Sequence, residues 1–242
     1  LLEMEGFLRE GATVQDALAW RPELGTTLLV VDRESGETVA SLPVGDGYCL
    51  HQINCHEEEG RLTVDLLELP EPYYPQYQVV PDLFERVVPA SPVRLVVDLT
   101  TGELVSRTRA RFPWAADFPS IDPRRTAAPY DEFWMLAISK TGPVGRKFFD
   151  RLVRFDWRQG RSADVYEAPL GRYLGGEPVF VPQPGREEAG LVICQEVDPV
   201  GRRGWFLLFD AHRLAGGPLV RIELPEPIHL GFHASYAPAE DG

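Results

Sequence analysis

The chain has 242 residues, of which 44% are hydrophobic, and carries 24 Lys and Arg against 37 Asp and Glu, a formal net charge of −13. This composition is typical of a globular protein with a substantial core, and it excludes disordered and collagen-like classes. The acidic excess and the lack of a basic stripe argue against nucleic acid as a partner, because that binding depends on clustered Lys and Arg.

Gly and Pro, 22 residues each, favour many turns and short elements over long helices, so the sequence predicts an all-β fold. The three cysteines form an odd set without CxxC spacing, which indicates neither a disulfide framework nor a thiolate zinc site and is typical of a reducing cytoplasm. The apolar runs are far shorter than the roughly 18 residues that span a bilayer. We therefore expect a soluble cytoplasmic chain, at most peripheral to a membrane.

One short helix is predicted near the N-terminus, at residues 13–20, where Thr13 suits the N-cap and Val14, Ala17 and Leu18 share one face. Farther along, short β-branched and aromatic runs closed by turn residues predict strands. These runs are residues 28–32, 61–67, 93–99, 133–138, 151–155, 179–181, 191–195, 205–209 and 220–224. Because no linker or low-complexity stretch interrupts them, a single domain over residues 1–242 is expected.

A turn motif recurs between these strands. Asp32, Asp98 and Asp156 each begin an Asp-x-x-x-Gly turn, and Asp210 begins a longer version. Asp bonds the turn backbone while Gly takes the positive φ, so each turn is predicted to close a hairpin. Spacings of 66, 58 and 54 residues between the Asp positions are typical of four-stranded propeller blades. A β-propeller with roughly four blade units in this chain is therefore predicted, with a β-sandwich as the alternative.

One polar residue follows each turn at nearly constant spacing: His51, Asp117, Glu177 and His233 lie 19 to 23 positions after the Asp. The innermost strand of each blade starts near the propeller axis, so equivalent residues converge on one point. Two histidines and two carboxylates at such a point predict a metal site. The sequence contains no Gly-rich phosphate loop, G-x-S-x-G elbow or H-E-x-x-H helix, which removes the commonest other chemistries.

The remaining histidines are interpreted differently. His56 precedes a run of acids that predicts a solvated hairpin turn, and His212 lies inside the Asp210 turn and is expected to be exposed. His229 lies four residues before His233 and would share its face on a strand, so a joint role stays open. For the two acids the alternatives are structural, with Glu177 as a loop acid before a strand and Asp117 as a turn-forming residue.

Five segments carry a further signal: Arg21-Pro22-Glu23-Leu24-Gly25-Thr26, His51-Gln52-Ile53-Asn54, Asp117-Phe118-Pro119-Ser120-Ile121-Asp122, Gly176-Glu177-Pro178-Val179-Phe180-Val181-Pro182 and Gly231-Phe232-His233-Ala234-Ser235-Tyr236. In order and spacing they are similar to motifs of the carotenoid cleavage oxygenase family, which includes apocarotenoid- and stilbene-cleaving dioxygenases and a retinoid isomerase. The likeness extends across essentially the whole chain.

The resemblance implies a seven-bladed propeller with a non-haem Fe(II) on its axis, bound by four neutral histidines, two of which would be His51 and His233. Glutamates orient these histidines in the family. Glu177 matches one of them and would pair with His233, whereas Asp117 stands in place of another and would pair with His51. Because Asp is a methylene shorter than Glu, we expect a longer or water-bridged contact there. The family's other two histidines precede the region represented here, so the chain is expected to be the C-terminal portion of a longer enzyme.

For function, the resemblance implies a dioxygenase that adds O₂ across a conjugated C=C bond of a carotenoid, apocarotenoid or stilbene-like substrate. An apolar tunnel would admit the substrate, and the aromatic stretch with Tyr73, Tyr74, Tyr77 and Phe84 suits its wall or a lid. A loop that merely covers a blade is the alternative. Two other functions stay open: a metal-free β-propeller binding scaffold, and a hydrolase that uses Asp117 and Glu177 as acid and base.

Overall fold

Strands dominate the structure, a computed structural model that describes residues 2–9, 11–73, 86–140, 142–143, 148–186 and 189–237. The strands are β1 (Thr26–Val31), β2 (Thr38–Gly45), β3 (Tyr48–Glu58), β4 (Arg61–Leu69), β5 (Arg86–Val87), β6 (Ser91–Asp98), β7 (Glu103–Arg109), β8 (Ala115–Ser120), β9 (Glu132–Ile138), β10 (Gly142–Pro143), β11 (Arg151–Asp156), β12 (Arg161–Glu167), β13 (Tyr173–Pro182), β14 (Gly190–Asp198), β15 (Arg203–Asp210) and β16 (Val220–Glu223). The described helices are α1 (Met4–Phe7) and 3-10 turns at Gln15–Ala17, Pro22–Leu24, Pro123–Arg125 and Leu214–Gly216. Within this part of the chain, none of the helices has the length and hydropathy to cross a membrane.

Three four-stranded antiparallel sheets form the body of the fold, each a meander in which neighbouring strands follow one another. We call them blade 1 (β3-β4-β6-β7), blade 2 (β8-β9-β11-β12) and blade 3 (β13-β14-β15-β16). The hairpin β1-β2 packs on blade 1, and β5 pairs with β10. The all-β prediction is confirmed. The first of the four predicted units differs from the others, because its described part is the two-stranded hairpin alone.

The repeated Asp turns close hairpins, as predicted. The carboxylate of Asp98 accepts two backbone N–H groups of its turn at 2.9 and 3.0 Å, and Gly102 closes the turn with φ +69°. The turns at Asp32 and Asp156 are built in the same way. After Asp210 the chain inserts a 3-10 turn before β16, which accounts for the longer motif. Each of these turns therefore joins the last two strands of its sheet.

All the predicted strand runs are strands, whereas the sequence missed β2, β3, β7, β8 and β12 and the two-residue strands β5 and β10. Strands β7 and β12 lie at the outer edges of their sheets, where β7 is largely exposed, β12 is largely half-buried, and polar residues interrupt the β-branched pattern of both. The predicted helix at residues 13–20 is a single 3-10 turn at Gln15–Ala17. Thr13 and Asp16 cap each other's backbone N–H groups there, so the local capping signal is real but the turn does not extend.

The core lies between successive blades. Along β9 the side chains alternate, so that Phe133 and Met135 pack toward blade 1 while Trp134 and Leu136 pack toward blade 3. Phe133, Met135 and Leu136 have no exposed surface. This two-faced burial is typical of a sheet that is sandwiched between neighbours, and it fixes the inner strands of the three blades beside one another.

Two histidines differ from their predicted surroundings. The acids after His56 form the solvated hairpin turn that was predicted, with residues 57–60 all exposed. His56 itself is instead buried in β3, with 8% of its surface exposed and its ring edge-on to Tyr130. The strand extends to Glu58, two residues past His56, and the turn begins only there. His212 is half-buried and its Nδ1 lies 3.2 Å from Glu132 Oε2, which corrects its predicted exposure.

Candidate metal centre

His51, Asp117 and Glu177 occupy equivalent places in three successive blades. Each lies on the first strand of its sheet, at a break in the strand pairing. The breaks fall between Cys49 and Gln52 in β3, between Asp117 and Ser120 in β8, and between Gly175 and Val179 in β13. A bulge of this kind bends the strand and turns a side chain away from its regular direction. The structure therefore brings the three residues together at the edge where the blades meet.

His51 and Asp117 are directly hydrogen-bonded, with 2.5 Å between His51 Nδ1 and Asp117 Oδ1. The longer or water-bridged contact expected for an aspartate is therefore wrong. At the bulge, Phe118 has a φ of +51° and its backbone N–H donates to Asp117 Oδ1 at 2.9 Å. The Tyr73 hydroxyl donates to the other carboxylate oxygen, Oδ2, at 2.7 Å. The backbone geometry and these two donors hold the shorter side chain within reach of the histidine.

The pairing defines the electrostatics of His51. The hydrogen bond to Asp117 raises the pKa of His51, burial of the ring opposes this, and the charges of Asp117 and Glu177 add to the increase. In the neutral ring, the proton on Nδ1 faces the carboxylate and Nε2 keeps its lone pair. Metal-binding histidines have this arrangement, because the carboxylate fixes both the tautomer and the ring orientation.

His233 lies beside this pair. Its ring centroid is 5.4 Å from that of His51, the two planes are nearly perpendicular at 80°, and its Nδ1 is 3.4 Å from Glu177 Oε2. This contact is looser than the one at His51, and 54% of the His233 side chain is exposed. The residue His229 is exposed, and its carbonyl oxygen accepts a hydrogen bond from Gln195 Nε2.

Aromatic rings enclose one side of the two histidines. The Phe118 ring lies 5.4 Å from His51 and 5.6 Å from His233, and it also contacts Phe149 and Phe232 at 5.5 and 5.2 Å. An apolar wall of this kind lowers the local dielectric and strengthens the carboxylate–imidazole interactions.

An apolar cavity of about 220 Å³ adjoins the histidine pair. Its lining includes neighbours of the site residues in sequence and in space, among them Leu50, Tyr73, Ala116, Asp117, Phe118, Phe149, Leu174, Leu230, Gly231 and Phe232. Tyr73 thus faces the cavity while its hydroxyl bonds to Asp117. Tyr74, Tyr77 and Phe84, the other residues predicted for a tunnel, lie outside the described residues.

The chemistry of the donors fits part of an iron site. Across the described ranges, no group of three or more His, Cys, Asp or Glu side chains is arranged to hold a metal ion. The cluster offers two imidazoles, His51 and His233, each with its Nδ1 at a carboxylate and with the lone pair of its Nε2 left to bind a metal ion. This matches two of the four histidine positions that the resemblance implies. Their role as ligands stays a prediction.

Sequence reasoning missed one residue that contacts the site segment, Gln195. It is buried at the end of the predicted run 191–195, and its side-chain amide bonds to the backbone beside His233. The signal was present in the sequence, because a polar amide within an apolar strand needs a hydrogen-bond partner.

Comparison with known proteins decides the family. Residues 2–238 match the family model described as retinal pigment epithelial membrane protein, RPE65. The chain belongs to this family, the carotenoid cleavage oxygenases. The resemblance inferred from the motifs is therefore confirmed.

This carotenoid cleavage oxygenase chain is similar to several named relatives and to a solved structure of the family. It is 23% identical over 228 residues to an apocarotenoid-15,15'-oxygenase of Synechocystis, covering 92% of this chain and 45% of the relative. It is 25% identical over 207 residues to a lignostilbene-alpha,beta-dioxygenase of Sphingomonas paucimobilis, covering 79% and 41%. The crystal structure of cobalt-substituted Synechocystis ACO matches 99% of this chain and 49% of its own at 21% identity, with a TM-score of 0.83.

The structural match confirms the β-propeller prediction, and the sandwich alternative is wrong. The chain spans somewhat less than half the length of the curated relatives that it matches. The relatives are named oxygenases, so the chain is part of an oxygenase family.

Proposed function

We propose that the full-length protein is a non-haem Fe(II)-dependent dioxygenase that cleaves a conjugated C=C bond of a carotenoid, apocarotenoid or stilbene-like substrate. The observation that carries the proposal is the pair of carboxylate-bonded histidines, His51 with Asp117 and His233 with Glu177, beside an apolar cavity that Asp117 lines. The relatives named for apocarotenoid and lignostilbene oxygenation support the substrate class.

His51 and His233 would hold the iron through Nε2. Asp117 and Glu177 keep the proton on Nδ1 of their histidines. They also place negative charge near an ion whose histidine ligands are all neutral. When bound, Fe(II) supplies the one-electron chemistry that allows O₂ to react with a closed-shell alkene. The resemblance implies two further histidine ligands besides these.

The cavity would bind the part of the substrate next to the histidines. Pockets that enclose whole ligands measure about 300–1,000 Å³, so a cavity of about 220 Å³ would take one portion of a long polyene. Phe118 and Phe149 offer apolar ring faces, and Tyr73 directs its hydroxyl to Asp117. Addition of O₂ across a C=C bond followed by scission gives two carbonyl compounds, which accounts for both oxygen atoms without another reductant.

The hydrolase alternative fits less well. Both carboxylate oxygens of Asp117 are engaged, Oδ1 by His51 and the Phe118 N–H and Oδ2 by Tyr73. A catalytic acid or base has to reach the proton that it transfers. Asp117 is therefore better suited to orient His51 than to move a proton to or from a substrate.

Metal content tests the proposal. The full-length protein and its His51→Ala and His233→Ala variants are reconstituted with Fe(II) without oxygen and measured by elemental analysis. We expect about one iron per wild-type chain and its loss in both variants. His229→Ala is the matched control, because its exposed side chain lies four residues before His233 and should leave iron content unchanged. A wild-type protein without iron would contradict the dioxygenase and favour the metal-free scaffold.

A further inference from the structure

The backbone that carries His233 is held by one buried side chain. Gln195, in β14, is 5% exposed. Its Nε2 donates to the carbonyl oxygen of His229 at 2.9 Å, and its Oε1 accepts the backbone N–H of Gly231 at 2.6 Å. The amide thus bonds a carbonyl and an N–H two residues apart, as the backbone of a neighbouring strand would.

Glycines allow this segment to lie close against β13. The Gly176 N–H donates to the Gly231 carbonyl at 2.8 Å. A Cβ on Gly231 would lie 3.1 Å from both Gln195 Oε1 and the Gly176 Cα, and one on Gly175 would lie 2.5 Å from Leu230 Cδ2. Gly176 directly precedes Glu177, and Gly231 lies two residues before His233. The contact between the two glycines therefore brings Glu177 and His233 together.

We propose that Gln195 is a positioning residue that anchors residues 229–233 on β13 and β14 and thereby places His233 beside Glu177 and His51. The side-chain contact between His233 and Glu177 is long, at 3.4 Å, so the position of the ring follows from the position of its backbone. Without the amide, the His229 carbonyl and the Gly231 N–H lose their bonds to Gln195, which favours detachment of the segment. The consequence for metal binding rests on the proposed function, whereas the anchoring does not.

The first test uses the full-length protein without metal and its Gln195→Met variant, which keeps the length of the side chain and removes both polar groups. Hydrogen exchange should become at least about tenfold faster at the Gly231 amide. Fe(II) alone, titrated anaerobically, should bind about tenfold or more weakly, as is typical when a group that orients a ligand is removed. Val192→Ala is the matched control: Val192 is fully buried on the same strand, so its loss destabilises the sheet but should leave Gly231 exchange and Fe(II) affinity unchanged.

A second variant, Gly231→Ala, probes the same contact without changing β14, and it should also accelerate exchange and weaken Fe(II) binding. Unchanged Gly231 exchange in Gln195→Met would overturn the anchor, and faster exchange with wild-type Fe(II) affinity would overturn the positioning of His233. If the wild-type protein bound no Fe(II), the proposed function would fail. The exchange comparison would still support the anchor if Gln195→Met accelerated it, and would overturn it otherwise.

Discussion

Asp117 bonds directly to His51, with 2.5 Å between Oδ1 and Nδ1, although it is one methylene shorter than the glutamate that the family resemblance implies at this position. The bulge in β8 and the positive φ of Phe118 set this distance, and the Tyr73 hydroxyl fixes the second carboxylate oxygen. The loose pair is instead Glu177 with His233, which has the longer acid. The length of the acid therefore does not determine how firmly each histidine is held.

Replacement of Asp117 by Asn should weaken Fe(II) binding about 10- to 100-fold. The carboxylate charge keeps the proton of His51 on Nδ1 and so leaves the Nε2 lone pair to bind the metal, and a neutral amide removes that charge. Anaerobic titration of the full-length protein against a chromophoric chelator measures this affinity. Asp46→Asn, which removes the carboxylate of an exposed residue between β2 and β3, is the control and should bind Fe(II) like wild type. Equal affinities of the two variants would contradict the role given to Asp117.

Tyr73→Phe should lower the free energy of unfolding by about 2 kcal/mol, since it removes a hydrogen bond to a carboxylate and leaves Asp117 Oδ2 without that donor. Urea unfolding followed by fluorescence measures the loss. Tyr236→Phe, at a half-exposed tyrosine near the C-terminus, is the matched control. A loss in Tyr73→Phe no larger than in this control would show that the Tyr73 hydroxyl does not stabilise the site.

Asp65→Ala should lower the free energy of unfolding by about 3–5 kcal/mol. Asp65 has no exposed surface, accepts two bonds from Arg94 at 2.8 Å each and one from the Tyr130 hydroxyl at 2.6 Å, so its removal leaves a half-buried guanidinium without its counter-charge. Glu223→Ala provides the comparison, because Glu223 makes the same two-bond contact with Arg203 at the surface. Solvent screens that pair, so a much smaller loss is expected there, and similar losses would contradict the argument.

The buried histidine of β3 should make stability depend on pH. Burial lowers the pKa of His56, and the positive charge of Arg94 lowers it further. The negative charges of Asp65 and Glu58 act in the opposite direction. Below the unfolded value, about 6.5, the unfolded chain takes up a proton that the folded chain resists, so the free energy of unfolding falls as the pH falls toward the folded pKa.

Urea unfolding at pH 7.5 and at pH 5.5, in the wild type and in His56→Phe, measures this dependence. The wild type should lose more stability between the two pH values than the variant does. The difference isolates His56, because His51, whose raised pKa acts in the opposite direction, is present in both proteins. An equal loss in both proteins would show that His56 does not contribute.

Local sequence patterns determined much of this protein. The Asp98 turn has its own hydrogen bonds and its own glycine, and the apolar runs form the strands of the blades, because these preferences act within a few residues. The regular spacing after each turn also marked His51 and His233, since a repeat that folds alike places equivalent residues on equivalent strands.

The tertiary structure decided what depends on distant neighbours. Asp117 lies 66 residues from His51, and the direct bond between them follows from a bulge that no local pattern predicted. His56 is buried because β3 is longer than its composition suggests and Tyr130 of another blade covers it. Gln195 meets the His233 segment 36 residues away. Burial and hydrogen bonding of these side chains are set by packing between blades, whereas turns and strands are set along the chain.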